Sequence, residues 1–554
     1  MKISLNKAPV FWIILGLTAL LYIINFSVNN IWTENESFYA ESVREMVEKG
    51  NILDITYNYQ PRYNKPPLTY WLEATSTSMF GMNEFAIRLP IVILAFWTLL
   101  LVWSIAHMLY DEKTALLAFA IQALSIQFIV CKQYASPEIP LAFFFTLSMY
   151  FFLKGHLFGN SRNYHYAAIA VGLTVLTKGY PYIIVIGSII LLYLLIDSNF
   201  RWRQFLDKVS ELNPLAFVTI ISIIGLSWIA LMYIHRGNDF LTILNQETLE
   251  RALIKKSRGF IDLFYYPAII IWSFFPYSLL FIYASWYYLF NLQKIKDIAF
   301  SLSWFLVMLI IFTTANGKLP TYFIQAYPAL AIISARFITR YSPAGKVTTA
   351  LWNLVFLLPT ALGIIFGTAI IIIFKLPIFY HLFTAAALFL MVISSLQEKN
   401  SSDKETTKSY IRYLHPFFGT LSALLIFSTG VLPQLEEYRV VGRIGNTINS
   451  KHQIPKKIPL YLQDHLLHNL PFYAERKIIP ESIPLRVFQQ KTPILALVQS
   501  TNVPDSIHSS VIWKGLLYTR KKDESDFLLF LESHLQAKNG NTSGFTDYSL
   551  VYIK

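Results

Sequence analysis

A small set of charged residues that could do chemistry stands in a chain that is otherwise mostly apolar. Thr33-Glu34-Asn35-Glu36 opens a polar stretch that runs through Phe38-Tyr39-Ala40-Glu41 and Arg44-Glu45-Met46 to Tyr63-Asn64-Lys65-Pro66-Pro67-Leu68-Thr69-Tyr70-Trp71. A carboxylate in the first of these can serve as general base toward an acceptor hydroxyl, or hold a metal or a substrate amine. The same residues also read as a helix start, with Thr33 or Asn35 as N-cap and acids in the first turn, where the helix dipole favours them. Pro66-Pro67 cannot continue a preceding helix and pins Lys65 out of α geometry. Lys65, with Arg62, is then placed to bind a phosphate, or else snorkels to a membrane interface. Glu138, in Ser136-Pro137-Glu138, is either a second catalytic acid or a helix-start acid. Arg251, Lys255, Lys256 and Arg258 suit a diphosphate or lipid phosphate, or lie along anionic headgroups. Lys178 and Lys318, at the ends of apolar runs, carry the same two readings.

The elements that must position these residues are membrane spans. The chain has 554 residues, 55% of them hydrophobic and only 14% charged, against about 25% charged in soluble domains. Apolar runs at about 10–28, 87–109, 114–131, 139–155, 164–177, 180–197, 214–235, 266–290, 298–314, 319–336, 347–374, 377–395 and 415–432 give a polytopic α-helical membrane protein of about 13 spans. Thr177-Lys178-Gly179-Tyr180-Pro181 is either a tight turn or a kink within one helix. The net charge of +13 is spread over short inter-helix loops, which fits topology signals and anionic lipid rather than nucleic acid. The positive-inside rule places the N-terminus in the cytoplasm and, with an odd number of spans, the C-terminus outside. The first run is too long for a signal-peptide core and lacks a cleavage pattern. Cys131 is the single cysteine, so neither an internal disulfide nor a Cys-rich metal site is available.

Two outer loops, 29–86 and 235–265, are long and charged against this rule, and they are read as the walls of a site. From Pro433 the composition turns polar, with short apolar runs at Ile458–Leu462, Pro493–Val498 and Phe527–Leu531. The division expected is a membrane domain over 1–432 and a soluble outer-face α/β domain over 433–554. Glu398–Lys408 reads as a solvated linker. No Gly-rich phosphate loop, paired-His zinc motif or serine nucleophile elbow is present, so a sugar donor, if there is one, is lipid-borne.

The motifs resemble a known family. Asn35-Glu36-Ser37-Phe38-Tyr39-Ala40-Glu41 with Arg44-Glu45-Met46 is similar to Asp-Glu-x-x-Tyr-Ala-Glu-x-x-Arg-Glu-Met, and Asn64-Lys65-Pro66-Pro67-Leu68-x-Tyr70-Trp71 to Glu-Lys-Pro-Pro-Leu-x-Tyr-Trp. Asn83-Glu84-Phe85-x-x-Arg88-Leu89-Pro90, Thr177-Lys178-Gly179, Phe275-Pro276 and Lys318-Leu319-Pro320-Thr321-Tyr322 fit as well, as does Tyr327-Pro328-Ala329. These marks resemble the aminoarabinose transferase (ArnT)-like branch of the protein mannosyltransferase superfamily, GT-C glycosyltransferases of the bacterial inner membrane. The likeness is strong to about residue 340 and rests mainly on layout beyond it.

The resemblance implies an inverting transfer of a sugar, aminoarabinose in the eponymous case, from a polyprenyl phosphate to a lipid A-like glycolipid or a protein on the outer face. It implies catalytic roles for Asn35, Glu36 and Glu138, and donor-phosphate roles for Lys65 and Arg251; Arg62, Lys178, Arg258 and Lys318 are assigned to the same phosphate from their charge and position. No cofactor is certain. A divalent metal belongs to the family's chemistry, but the positions aligned with its ligands are Asn64 and Thr248 here, so no metal site is assigned. An amide at Asn35 cannot be a general base, although an ionised acceptor phosphate needs little base. The rival functions are a lipid-linked sugar flippase and a non-catalytic lipid-binding homologue. A flippase would place its charges within the bundle; here they gather at its outer surface.

Overall fold

The computed structural model describes residues 8–246, 259–315, 317–399, 412–463, 467–482, 486, 488, 493–520 and 526–554. Arg251, Arg258 and Thr248, with most of the cationic run around them, lie outside these residues, as does most of the 398–408 linker. The fold is a helical bundle. Among the described residues five helices are long and apolar enough to cross a membrane, and seven if two bent pairs each count as one span. Four shorter apolar helices accompany them.

Several of the expected spans are broken. The run at 114–131 divides into Glu112–Ala123 and Ile126–Lys132, bent by 62°. Ser125, between them, turns its hydroxyl back onto the Ile121 carbonyl. The runs at 164–177 and 180–197, by contrast, are two helices as expected, because Gly179 adopts φ +129 and Pro181 opens the next helix. The run at 266–290 is interrupted at Phe274–Tyr277. Two of these breaks meet: the Ile126 amide donates to the Phe275 carbonyl at 3.2 Å.

The helices that frame the site are α1 (Ala8–Ile23), α2 (Glu34–Lys49), α3 (Leu68–Phe80), α4 (Glu84–Leu109), α5 (Glu112–Ala123), α6 (Ile126–Lys132), α7 (Glu138–Phe158) and α8 (Ser161–Lys178). Thr33 caps α2: its hydroxyl accepts the Glu36 amide at 3.2 Å. Asn83 and Asp111 cap α4 and α5 in the same way. Between α2 and α3 lies a hairpin of β1 (Thr56–Tyr57) and β2 (Gln60–Pro61). Its two-residue turn, Asn58-Tyr59, has φ of +51° and +62°, the type I′ geometry that suits strand twist. Across the bundle, helices Lys346–Ile373 and His415–Ile426 cross at Gly363 and Gly419. A Cβ on Gly363 would meet the Gly419 carbonyl carbon at 2.5 Å, so only small residues permit the approach.

His415–Ile426 continues into a π turn, Phe427–Val431, whose loosened carbonyls need other partners. Asn25 and Asn29 supply them, donating to the Ser428 and Leu432 carbonyls at 3.0 and 2.6 Å. In the C-terminal segment β3 (Leu460–Gln463), β4 (Ile478–Glu481), β5 (Ile494–Gln499), β6 (Val511–Tyr518) and β7 (Phe545–Ile553) form one sheet in the order β4-β3-β5-β7-β6. β3 runs parallel to β4 and β5, while β7 is antiparallel to β5 and β6. The continuous apolar run of β5 is what a strand covered on both faces requires. This segment grips the first loop: Asn58 exchanges two hydrogen bonds with the Ile478 backbone, and Asn469 donates to the Ile31 carbonyl at 2.7 Å.

Candidate active site

A cavity of about 820 Å³ opens where the first loop meets the ends of α1, α6, α7 and α8. Most of its wall is aliphatic and aromatic, yet six cations line it: Arg62, Lys65, Arg88, Lys132, Lys178 and Arg439. Two carboxylates, Glu34 and Glu138, are also on the wall. An apolar chamber with this charge balance is chemically matched to a lipid carrying phosphate.

The first turn of α2 presents Glu34 and Asn35 to the cavity, and both are exposed to it. Arg62 and Lys65 follow the hairpin, and the motif acids and Arg44 hold that hairpin in place. Glu45 accepts the Tyr59 amide at 2.7 Å, the Thr56 hydroxyl at 2.5 Å and the Lys49 ammonium at 2.7 Å. Arg44 forms a fork with Glu41 at 2.7 and 2.8 Å and reaches Glu48 at 2.7 Å. The Arg62 guanidinium lies 3.7 Å over the Phe38 ring, a cation–π contact that fixes its plane. Glu41, Arg44 and Glu45 therefore act on the site through the loop, not by touching the cavity.

Glu138 opens α7 with its side chain at the cavity. One oxygen stands 3.4 Å from the Lys178 ammonium, and the other has no hydrogen-bond partner among the described residues. Lys178 is also 4.8 Å over the Tyr322 ring. The two phenols nearby, Tyr39 and Tyr70, stack at 4.3 Å and line the cavity. Burial pushes the Tyr70 hydroxyl up to about 12, and burial with the neighbouring Tyr70 and Glu138 raises Tyr39 further. Both are neutral donors at physiological pH.

Two expected site residues stand elsewhere. Glu36 is fully buried behind the α2 turn, not on the cavity wall. Its oxygens take Arg88 Nε and Nη2 at 2.6 and 3.0 Å and the Ala135 amide at 2.9 Å. A bidentate guanidinium and an amide occupy the lone pairs a base would use. Lys318 is paired with Asp262 at 3.5 Å, and the wall is built instead by the residues after it, Leu319–Tyr322.

Three wall cations escaped the sequence reading of the site. Arg88 sits in a family motif with no visible role, yet it binds Glu36 and the carbonyls of Phe26, Asn29 and Asn30. Lys132 closes α6 and turns inward onto the Leu21 and Tyr22 carbonyls near the end of α1. Arg439 lies about 300 residues away in the chain and has no local motif.

Among the described residues no three His, Cys, Asp or Glu side chains converge. Asn64, at a position aligned with a metal ligand, presents an amide, a poor ligand for zinc. Thr248, the other aligned position, lies outside the described residues.

Comparison with known proteins agrees with this fold. The family described as dolichyl-phosphate-mannose-protein mannosyltransferase matches residues 64–228. A protein of Aquifex aeolicus described as uncharacterized is 31% identical, over 98% of this chain and 99% of its own. The undecaprenyl phosphate-α-4-amino-4-deoxy-L-arabinose arabinosyl transferase of Enterobacter sp. is 27% identical over 59% of this chain. That alignment covers 59% of the Enterobacter protein, so the chain spans about three fifths of the length of this relative. The crystal structure of ArnT from Cupriavidus metallidurans bound to undecaprenyl phosphate superposes with a TM-score of 0.72 at 16% identity, covering 99% of this chain and 98% of that one. The apo state of the same protein gives 0.70. Fold, motifs and relatives converge: the chain belongs to the ArnT-like branch of the protein mannosyltransferase superfamily of GT-C glycosyltransferases.

Proposed function

We propose that this protein transfers a sugar, with inversion, from a polyprenyl-phosphate donor to a glycolipid in the outer leaflet of the bacterial inner membrane. The observation that carries the reading is one apolar cavity holding Arg62, Lys65 and Lys178 with Glu138 and Asn35 on the same wall. Arg62 and Lys65 bind the donor phosphate; the same role is proposed for Arg251 and Arg258 of the later loop, which lie outside the described residues. The polyprenyl chain follows the apolar wall toward the lipid. The sugar carbon then faces Glu138 and the α2 turn. The acceptor oxygen attacks that carbon from the side opposite the phosphate, the carbon–oxygen bond to phosphate breaks, and polyprenyl phosphate leaves with the bonding pair.

Glu138 takes the acceptor proton through its unengaged oxygen, with Lys178 holding the carboxylate ionised and oriented. An acceptor phosphate arrives already ionised and needs only orientation. Asn35 donates a hydrogen bond to substrate, and Glu36 positions Arg88 and the α2 turn. No step is routed through a metal. The amino group of an aminoarabinose-type sugar would find Glu34 and Glu138 within this cavity, which supports that sugar; a lipid A-like acceptor is proposed with it. The 13-span topology, with the N-terminus cytoplasmic and segment 433–554 a periplasmic α/β domain, belongs to the same reading and places the cavity on the outer face.

The test uses purified protein in lipid vesicles with a panel of polyprenyl-phosphate sugars, following release of polyprenyl phosphate. Turnover that falls by two or more orders of magnitude in Lys65→Ala is the expected result, on the order of what a charge-assisted phosphate contact in the reacting complex contributes. Donor binding without turnover, under every acceptor and metal condition, would overturn it.

A further inference from the structure

The end of the bundle opposite the cavity carries a surface that sugar transfer does not use. Helix α9 (Pro181–Asp197) starts beside Lys178 at the cavity and ends on the far side, where α7 also ends and α8 begins. Two successive left-handed residues, Asn199 (φ +50°) and Phe200 (φ +59°), then turn the chain into α10 (Trp202–Glu211). Trp202, Phe205, Leu206 and Val209 form one apolar stripe at i, i+3, i+4 and i+7. Phe205 and Val209 pack against the core of the bundle. Trp202 and Leu206 stay exposed, and no residue of α10 is buried. The Phe200 ring is 69% exposed and Trp202 65%. Arg201 and Arg203 are exposed as well, so positions 200–203 present aromatic, cation, aromatic, cation.

This surface is fastened from behind. Asp197 takes His156 Nε2 at 3.0 Å and the Lys208 ammonium at 2.5 Å, tying α10 to the end of α7. Lys296, in the 3-10 turn Leu292–Ile298, donates to the Asn199 side chain, and Lys294 of the same turn donates to the Tyr287 hydroxyl. Asp197 is thus already shared between two bases. Asp207, four residues after Arg203, does not come within ion-pair distance of it, and among the described residues neither Arg201 nor Arg203 has a carboxylate partner.

The neighbouring helices indicate what covers these groups. α10 leads through a 48° bend into α11 (Pro214–Gly225), which turns Leu215, Val218 and Ile223 outward. The helix Ser278–Phe290, which runs into the Lys294–Lys296 turn, ends with Trp286, Leu289 and Phe290 exposed. Outer faces of this kind meet acyl chains, and α10 stands at the level where they give way to charge. Exposed aromatic rings and arginines at that level match the glycerol and phosphate region of a bilayer, and the guanidinium fork matches a phosphate better than an ammonium does.

We infer that Arg201 and Arg203, flanked by Phe200 and Trp202, form a binding site for the phosphate of an anionic phospholipid in the leaflet opposite the cavity. On the topology proposed above this is the cytoplasmic leaflet. The site is independent of the transferase reading, because none of its residues touches the cavity.

The test uses full-length protein in vesicles that mix phosphatidylcholine with phosphatidylglycerol, one of the two brominated at a time. Quenching of Trp202 fluorescence, taken as the difference between wild type and Trp202→Phe, gives the relative affinity of the two lipids at this surface. Phosphatidylglycerol should be preferred, and the preference should fall about fivefold for each arginine in Arg201→Gln and Arg203→Gln and vanish in the double variant. It should also vanish at about 1 M salt, where screening shortens to about 3 Å. The double Arg→Lys variant should keep most of it. Sodium phosphate at millimolar concentration should not displace the lipid; full displacement would make this a site for free phosphate and overturn the lipid assignment.

A wild-type ratio near one would refute the inference, as would a preference that survives in the double Arg→Gln variant. Both arginines are exposed and unpaired, so that variant should melt at the wild-type temperature in detergent without added lipid. If it does not fold, the two single variants decide in its place. Wild type without lipid preference that binds a polyglutamate peptide, with binding lost in Arg203→Gln, would give the surface to an acidic protein partner and overturn the inference.

Discussion

Glu36 offers the sharpest separation of scaffold from chemistry, because its sequence context suggests a base and its surroundings make it a strut. Replacing it by Gln keeps the shape and one acceptor oxygen but leaves Arg88 charged and buried without a counter-ion. Breaking one side of such a pair costs about 3–5 kcal/mol. Arg88→Met should cost more. It strands the Glu36 carboxylate and also deprives the carbonyls of Phe26, Asn29 and Asn30 of their donor, at about 1 kcal/mol or more apiece. Pairing Glu36→Leu with Arg88→Met removes both charges and should recover part of the loss, since apolar replacements of buried pairs are often near neutral. The recovery stops short of wild type because the three carbonyls stay unpaired. The assay is thermal unfolding in detergent beside turnover per folded molecule, read as a double-mutant cycle. Strong positive coupling in stability, with turnover tracking the folded fraction, is the expected pattern. A Glu36→Gln protein with wild-type melting temperature and a kcat reduced a hundredfold would refute the strut and restore the base.

Glu138→Gln should leave donor KM nearly unchanged and lower kcat by about 10²–10⁴-fold with a hydroxyl acceptor, but far less with a phosphate acceptor; equal losses with both would show that the carboxylate only positions. Glu45→Gln should raise the donor KM with little change in melting temperature, because one amide group cannot accept from the Tyr59 amide, Thr56 and Lys49 together. Limited proteolysis of the 51–67 loop should accelerate in parallel, and an unchanged cleavage rate would count against the clip. Burial holds the His534 imidazole, whose ring nitrogens have no hydrogen-bond partner among the described residues, down at about 4, with Lys538 and Arg439 adding to the effect. A depressed folded value means that the unfolded chain takes the proton first, so stability falls as pH drops from about 6.5 toward 4. His534→Phe should flatten the melting temperature over that window, and an unchanged slope would assign the acid sensitivity to other groups.

What the sequence disclosed and what it hid divide along a physical line. Family membership was legible because the Lys-Pro-Pro and Tyr-Ala-Glu runs are local. Prolines fix Lys65 through φ alone, and the acids of α2 meet Arg44 and Lys49 three or four residues away. The gathering of Arg62, Lys65, Lys178, Glu138 and Asn35 at one cavity follows from those motifs sharing one end of the bundle. Span counting was less secure, because hydropathy averages over a window and cannot see a 62° bend at Leu124-Ser125. The division of labour among the acids was not legible at all. Glu34 and Glu36 are two residues apart on one helix, so they point to different sides: one to the cavity, the other to an arginine 52 positions away. Arg439 was hidden for the same reason in stronger form, since only tertiary structure brings it to Trp32.

That division explains how the chain can depart from its family at Asn35 and Asn64 and still present a site. The polar run that opens on α2 is mostly engaged in holding itself: Glu36 with Arg88, Glu41 with Arg44, Glu45 with the hairpin. None of these contacts involves Asn35 or Asn64, which stand on the cavity wall where substrate would meet them. Exchanging a carboxylate for an amide there leaves the scaffold intact and changes only what the cavity offers. Each exchange removes a negative charge from a wall that already carries six cations. The cavity is thereby biased further toward anionic substrates, consistent with an acceptor that brings its own charge and relies little on a protein base.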